Sequence, residues 1–235
     1  MQLGLTKPIV RTSLADAVYQ HLLESILSGA VSGGSVLNEV VLAAQFAVSR
    51  TPVHEAIRKL AADGLVELLP NRRAQVANFT RGNVVALYEL RKILEGSAAA
   101  FAASRMHPAL LDQFRKRTEE LLEAPRAEDE AWRNRAIELD LQLHEAIANS
   151  AGNPYLKQEV QRYRRLVQGY CRASGTRENL CAAMEEHLRI LAALDSRDAE
   201  AARERMVQHI EARLAKVLGI IDLPQPLGQT KGKAL

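Results

Sequence analysis

One carboxylate and three imidazoles in the second half of the chain have the types and the spacing of ligands to a divalent metal. Asp140 and His144 are four residues apart, so a helix places both side chains on one face. His187 and His209 lie on opposite sides of a turn at Asp195–Asp198, and an antiparallel helical hairpin would bring them to similar heights. These four residues predict a site that leaves coordination positions open, for which Zn, Ni or Mn is suitable.

The segment Val48–Leu60 (VSRTPVHEAIRKL) has a second arrangement with chemical meaning. Ser49 can cap a helix, and Pro52 then falls in the first turn, where a missing N–H costs nothing. Apolar residues recur at helical spacing on one face: Val53, Ala56, Ile57 and Leu60. A different arc carries Arg50, Thr51, His54 and Arg58. Cations and a hydroxyl gathered at a helix start are typical of a recognition helix, which reaches base edges and phosphates in the major groove.

The elements around this segment predict a winged helix-turn-helix over residues 1–80, with three helices and a two-stranded wing. Helices at Leu14–Gly29 and Glu39–Phe46 precede the segment, and strands at Leu65–Leu69 and Ala74–Phe79 follow it. Residues 1–80 carry seven Lys and Arg side chains, and five of these lie between Arg50 and Arg73. We therefore expect DNA affinity from this patch, decreasing steeply with salt.

The rest of the chain is predicted to be a separate all-α bundle, so the fold class is mainly α. Arg81–Asn83 is the predicted linker, residues 83–222 form the second domain, and the Pro- and Gly-rich residues 223–235 form a flexible tail. Six helices are expected: Val84–Arg105, Leu110–Glu123, Trp132–Asn149, Tyr155–Arg172, Glu178–Ala193 and Ala199–Leu218.

Composition excludes some classes of protein. The chain has 235 residues, of which 47% are hydrophobic and 25% are charged, as in an ordinary globular protein. It has no apolar run long enough to span a membrane and no secretory signal pattern, so we expect a cytoplasmic protein with no membrane partner.

The run LNEVVLAAQFAVSRTPVHEAIRKLAADGLVELLPNRRAQV resembles the DNA-binding domain of the GntR family of bacterial transcription regulators. The resemblance implies that the helix start and the wing tip contact operator DNA through Ser49, Arg50, Thr51, His54, Arg58, Arg72 and Arg73. Two positions depart from the family pattern, which usually has Arg at position 54 and Gly at position 73. His54 lacks the fixed guanidinium fork that binds guanine, so we expect a different operator preference or a pH-sensitive one.

Three segments resemble helices of the FCD domain, which is found in the FadR-type branch of that family: LYELRKILEGSAA, DLQLHEAIANSAGN and EEHLRILAALDSRDAEAARERMVQHI. The resemblance implies that the Asp and three His hold a metal, and that the metal helps to bind a small organic acid effector. It also implies that Arg91 faces the effector pocket. The alternative for Arg91 is an exposed ion pair with Glu95, four residues on.

Together these features predict a DNA-binding transcriptional regulator, by the resemblance a repressor, that acts as a homodimer on near-palindromic double-stranded operator DNA. Two alternatives stay open. One is a DNA-binding protein whose metal is purely structural. The other is a metal-dependent hydrolase, since Glu145 and Glu186 adjoin predicted ligands. Against an enzyme, Glu145 points about 100° away from His144, and the chain has no HExxH motif.

Overall fold

The computed structural model describes residues 13–27, 30–70, 73–77, 80–124 and 130–221. These residues form two compact units, one ending at residue 77 and the other beginning at Thr80. The predicted tail at 223–235 lies outside the described residues.

The first unit contains three helices and a small antiparallel sheet, as the sequence predicts. In chain order its elements are α1 (Leu14–Leu27), β1 (Val36–Leu37), α2 (Glu39–Gln45), α3 (Arg50–Ala62), β2 (Val66–Leu69) and β3 (Arg73–Val76). The strand order is β1-β3-β2, with β3 in the centre. The sequence predicts β2 and β3 but not β1, which is too short to show an alternating pattern. Its pairing with β3 makes the sheet three-stranded.

Local sequence signals begin and end the helices of this unit. Asn38 caps α2, where its side-chain oxygen accepts hydrogen bonds from the backbone N–H groups of Val40 and Val41. Ser49 occupies the N-cap position of α3 as predicted, but its hydroxyl makes no capping hydrogen bond. Gly64 follows α3 with φ of +80°, a conformation that favours glycine and turns the chain into the wing. Residues Val53, Ala56, Ile57 and Leu60 of α3 are all buried, so the predicted apolar face is the core face.

The second unit is a bundle of six helices, and each predicted helix is present. They are α4 (Arg81–Ala103), α5 (Pro108–Glu123), α6 (Glu130–Ser150), α7 (Pro154–Ala173), α8 (Arg177–Asp195) and α9 (Ala199–Ile221). The predicted linker at residues 81–83 is instead the first turn of α4. Thr80 and Asn83 form a capping box there, so Thr80 is the N-cap and the helix begins at Arg81.

Helices α4 and α9 pack antiparallel at close range. Gly96 permits the approach, because a Cβ atom at this position would lie 3.1 Å from Cγ2 of Val207. One turn away, Lys92 Nζ donates to Glu211 Oε1 at 2.9 Å. This pairing fixes which residues of the two helices lie at the same height.

Among the helices of the described ranges, none combines the length and apolarity needed to cross a bilayer.

Candidate metal centre and nucleic-acid interface

The four predicted metal ligands converge at one point in the second unit. Asp140 and His144 project from α6, His187 from α8 and His209 from α9, and one ligand atom from each lies within 4.8 Å of the others. Nε2 of His144 lies 3.2 Å from Nε2 of His209. Oδ1 of Asp140 lies 3.2 Å from Nε2 of His187 and 3.8 Å from Nε2 of His144. Helical spacing and the α8–α9 hairpin thus bring together residues that lie far apart in the sequence.

Two buried or partly buried carboxylates orient the imidazole rings. Nδ1 of His144 lies 2.5 Å from Glu95 Oε2, and Nδ1 of His209 lies 2.7 Å from Glu186 Oε2. An ionised carboxylate only accepts hydrogen bonds, so in both rings Nδ1 carries the proton and donates. In the neutral ring, Nε2 then presents its lone pair to the cluster. Histidines that bind a metal through one ring nitrogen commonly donate the other ring N–H to a carboxylate in this way, and the hydrogen bond fixes the tautomer and the orientation of the ring.

The residues present fit a divalent ion. Two deprotonated Nε2 atoms and a carboxylate oxygen face one another, and their lone pairs repel unless a cation lies between them. The two shortest ligand-to-ligand distances, both 3.2 Å, match the roughly 3 to 3.5 Å expected between neighbouring ligands of a metal bonded at about 2.0–2.1 Å, and all four ligand atoms lie within 4.8 Å of one another. His187 is buried, and neither of its ring nitrogens has a hydrogen bond of acceptable geometry within the described ranges.

The charge state of the cluster suits metal ligation as well. Burial lowers the pKa of His144 to about 4 and that of His209 to about 3, so both rings are neutral near pH 7. Burial works to raise the pKa of Asp140 and of Glu95, but the charges around them outweigh it. The largest of these charges for Asp140 is the Arg164 guanidinium, which holds the pKa of Asp140 well below its usual range. For Glu95 the largest is the Arg91 guanidinium, which lowers the pKa of that carboxyl.

The low pKa values of His144 and His209 predict how the stability of the metal-free protein depends on pH. In the unfolded chain these rings return to a pKa near 6.5, so between about pH 6.5 and pH 4 the unfolded chain binds protons that the folded chain does not. We expect the melting temperature of chelator-treated protein to fall as the pH is lowered from about 7.5 to about 5. Thermal unfolding followed by circular dichroism measures this.

A His209→Asn variant is the matched control for that pH series. It has no imidazole at this position, and its melting temperature should depend less on pH over the same range. A wild-type melting temperature that stays constant or rises on acidification would contradict the buried neutral rings.

Glu186 provides a test of the carboxylates that orient the rings. Changing Glu186→Gln keeps an acceptor for His209 but removes the charge, so we expect metal affinity to fall by about tenfold. Competition with a fluorescent chelator measures the affinity. Glu185→Gln is the matched control, because Glu185 is exposed on the same helix. Equal affinities for the two variants would show that Glu186 does not support the metal site.

Arginines surround the cluster. Arg91 is buried, with 2% of its surface exposed, and its Nε donates to Glu95 Oε1 at 2.7 Å. The Glu95 pairing considered for Arg91 therefore exists, but inside the bundle and not on its surface. Arg164 of α7 donates to Asp140 Oδ2 at 2.8 Å and to Glu95 Oε2 at 3.3 Å. Neither Arg164 nor the role of Glu95 towards His144 was predicted from the sequence.

The first unit contains the predicted nucleic-acid interface. On α3 the side chains of Arg50, Thr51, His54 and Arg58 are all exposed, opposite the buried apolar face. Arg73 is exposed at the start of β3, and Ser49 is exposed at the N-cap. Arg72, also predicted at the wing tip, lies outside the described residues. The polar arc predicted for α3 is therefore its exposed face.

A groove of about 1120 Å³ runs between α3 and the sheet. Glu39 of α2 lies on its wall and pairs with two predicted DNA contacts. Its carboxylate is 2.7 Å from Nδ1 of His54 and 3.2 Å from Nη2 of Arg50. The hydrogen bond with His54, followed by that with Arg50, lowers the pKa of Glu39 despite some burial. Glu39, which from the sequence is only the first residue of a helix, thus orients two side chains at the start of α3.

Comparison with known proteins identifies both units. Residues 14–76 match the model for bacterial regulatory proteins of the gntR family, and residues 86–212 match the FCD domain. The chain is 27% identical to the HTH-type transcriptional repressor RspR of Escherichia coli, with 89% of each chain covered. It is 28% identical to the Nta operon transcriptional regulator of Aminobacter aminovorans, with 80% of this chain and 87% of that protein covered.

Solved structures agree on the fold. The structure of E. coli McbR/YncC superposes with a TM-score of 0.70 at 23% sequence identity, covering 89% of this chain and 99% of that one.

Proposed function

The chain belongs to the GntR family of bacterial regulatory proteins and carries an FCD domain, and we propose that it is a metal-dependent repressor controlled by a small carboxylate effector. As a member of this family it is a DNA-binding transcriptional regulator and not an enzyme. The observation that carries the proposal is the convergence of Asp140, His144, His187 and His209 in a bundle attached to a winged helix-turn-helix.

We assign operator contact to the exposed face of α3 and to the wing. Arg50, Thr51 and His54 lie in the first turns of α3, where a recognition helix in the major groove meets base edges. Arg58 lies one turn after His54 on the same face, and Arg73 lies on the wing beside the groove. Arginine binds guanine through two parallel hydrogen bonds, whereas exposed cations in general neutralise phosphates. Ser49 and Arg72 complete the proposed contact set.

We assign effector binding to the metal cluster in the FCD domain. Four protein ligands leave coordination positions open on an ion that takes five or six ligands, as octahedral Ni and Mn do and as Zn does when it expands to five-coordinate, and a bound divalent ion supplies a Lewis acid that accepts a carboxylate oxygen. Arg91 donates to Glu95, which in turn contacts His144 of the cluster. The Arg91 guanidinium provides a fork of N–H donors that matches a carboxylate. Zn, Ni and Mn all suit this donor set.

Effector control follows if the two states of the protein differ in affinity for the carboxylate. A ligand that binds one conformation more tightly shifts the population towards it, and the same factor changes operator affinity. Such couplings typically amount to about 1–3 kcal/mol, or about 5- to 150-fold in affinity. We also propose a homodimer, because a near-palindromic operator presents two equivalent half-sites to two recognition helices.

Selection of genomic DNA tests this function even though the operator sequence is not known. Purified protein is incubated with fragments of the source genome, and the retained fragments are sequenced. We expect enrichment of one or a few short palindromes next to an operon, lost at high salt because phosphate contacts release counterions. Enrichment of no sequence above the non-specific background, with metal-loaded protein and in the absence of added carboxylates, would contradict the proposal.

A further inference from the structure

Arg213 is a buried cation that the metal cluster and its supporting residues leave uncompensated. It lies on α9, and only 8% of its surface is exposed. Its Nε and Nη2 atoms are buried and find no hydrogen-bond partner among the residues that the structure describes. A guanidinium taken out of water without an acceptor is costly, so a retained one indicates a missing anionic partner.

The helix geometry places Arg213 beside the metal cluster. Arg213 follows His209 by four residues, so both side chains share one face of α9, about 6 Å apart along the helix axis. Arg91 precedes Glu95 by four residues on α4, and α4 and α9 are antiparallel, as the Lys92–Glu211 ion pair shows. Because the two helices run in opposite directions, the turn from Glu95 back to Arg91 and the turn from His209 on to Arg213 lead towards the same end of the bundle. Arg91 and Arg213 therefore lie on the same side of the cluster.

The charges around the cluster define how much negative charge a ligand should carry. Three buried arginines belong to this part of the bundle (Arg91, Arg164 and Arg213), of which Arg213 makes no ion pair with a described residue, and so do three carboxylates, which belong to Glu95, Asp140 and Glu186. The histidines are neutral when they ligate a metal. The protein groups thus sum to zero, and a divalent ion adds two positive charges in a region with little water. Burying these charges favours a ligand that supplies two negative charges.

We propose that the effector is a short dicarboxylate, with one carboxylate at the metal ligands and Arg91, and the second carboxylate at Arg213. This inference rests on the proposed function, since it names the class of effector for the same site. His209 and Arg213 are separated by about 6 Å along the axis of α9, and this separation suits a diacid of about four carbons. A monocarboxylate of the same length would fill the first position and leave Arg213 without a partner.

Calorimetric titration of the full-length protein loaded with Zn²⁺ tests the proposal. The probes are succinate and butyrate, which have the same number of carbons and differ in the second carboxylate, at a pH above about 7 where both are ionised. We expect succinate to bind about 10- to 100-fold more tightly than butyrate. In an Arg213→Gln variant the two affinities should become about equal, while butyrate affinity and zinc content stay unchanged. Arg213→Lys should keep part of the preference, and Arg205→Gln, on the exposed face of α9, should keep all of it.

A second measurement separates ligand binding from a structural role. Without metal and ligand, Arg213→Gln should melt at a temperature at least as high as wild type, because it removes an uncompensated buried charge. A lower melting temperature would show that the fold itself anchors Arg213, and would overturn the proposal.

The calorimetric outcomes also distinguish this inference from the proposed function. Equal affinity of wild type for succinate and butyrate, or a succinate preference that survives in Arg213→Gln, would overturn the dicarboxylate assignment and leave carboxylate control intact. Zinc-loaded protein that binds neither probe would overturn both.

Discussion

Replacing His187 with alanine is expected to abolish tight metal binding. Wild type should purify with, or take up on dialysis, about one divalent ion per chain, whereas His187→Ala should retain almost none. His187 is the best ligand to remove, because its Nδ1 has no partner in the described part of the chain. Removing His144 or His209 would also leave Glu95 or Glu186 without its imidazole partner, and this would destabilise the bundle for a separate reason.

Two readouts follow the loss of metal. Elemental analysis gives the stoichiometry, and the melting temperature with and without added metal gives the stabilisation. A ligand present at about a hundred times its Kd stabilises the folded state by about 2.7 kcal/mol, so added metal should raise the melting temperature of wild type but not of His187→Ala. His21→Ala is the matched control, because His21 is exposed in the first unit and should leave metal content unchanged. Full metal occupancy in His187→Ala would show that the cluster does not act as a four-ligand site.

Replacing Arg58 with alanine is expected to weaken operator binding by about 10- to 100-fold if its guanidinium contacts a base. Arg58 is exposed on the same arc of α3 as Arg50 and His54, at i,i+4 from His54. If Arg58 instead neutralises one phosphate, affinity should decrease for all sequences, and the slope of log affinity against log salt should become less steep by about 0.9. Fluorescence anisotropy with a selected fragment and a scrambled one, at several salt concentrations, separates these two results.

Lys59→Ala is the matched control for Arg58. It removes the same charge from the next residue of α3, but Lys59 lies on a different arc and its Nζ is 2.5 Å from Asp16 of α1. We expect at most a small decrease in operator affinity from this change. A similar loss in both variants would mean that α3 contributes only net charge, and would contradict its assignment as the recognition helix.

The faces of the helices could be predicted because periodicity reports them directly. The segment that contains Val53, Ala56, Ile57 and Leu60 repeats its apolar residues every three to four positions, and all four are buried. The same reasoning places Asp140 and His144 on one face of α6. Bringing His187 and His209 to the same height required only that α8 and α9 form an antiparallel hairpin.

The partners of these residues could not be predicted, because they depend on which helices pack together. Nothing in the local pattern distinguishes Arg164 from its neighbouring arginines, and only the packing of α7 brings it to Asp140 and Glu95. The sequence allowed Glu95 to be a surface partner of Arg91, because residues four apart on a helix can form an ion pair on an exposed face as well as on a buried one. Strand β1 was not predicted, because a segment of two residues shows no periodicity and this strand forms only by pairing with β3.

The coupling between the metal cluster and operator affinity is the most direct test of the central claim. Fluorescence anisotropy with a selected palindromic fragment would be recorded for metal-loaded wild type and for His187→Ala, each titrated with succinate. We predict that succinate changes the operator affinity of wild type by about 5- to 150-fold and leaves that of His187→Ala unchanged. Metal-loaded wild type that binds succinate but keeps the same operator affinity would show that the metal site does not control DNA binding.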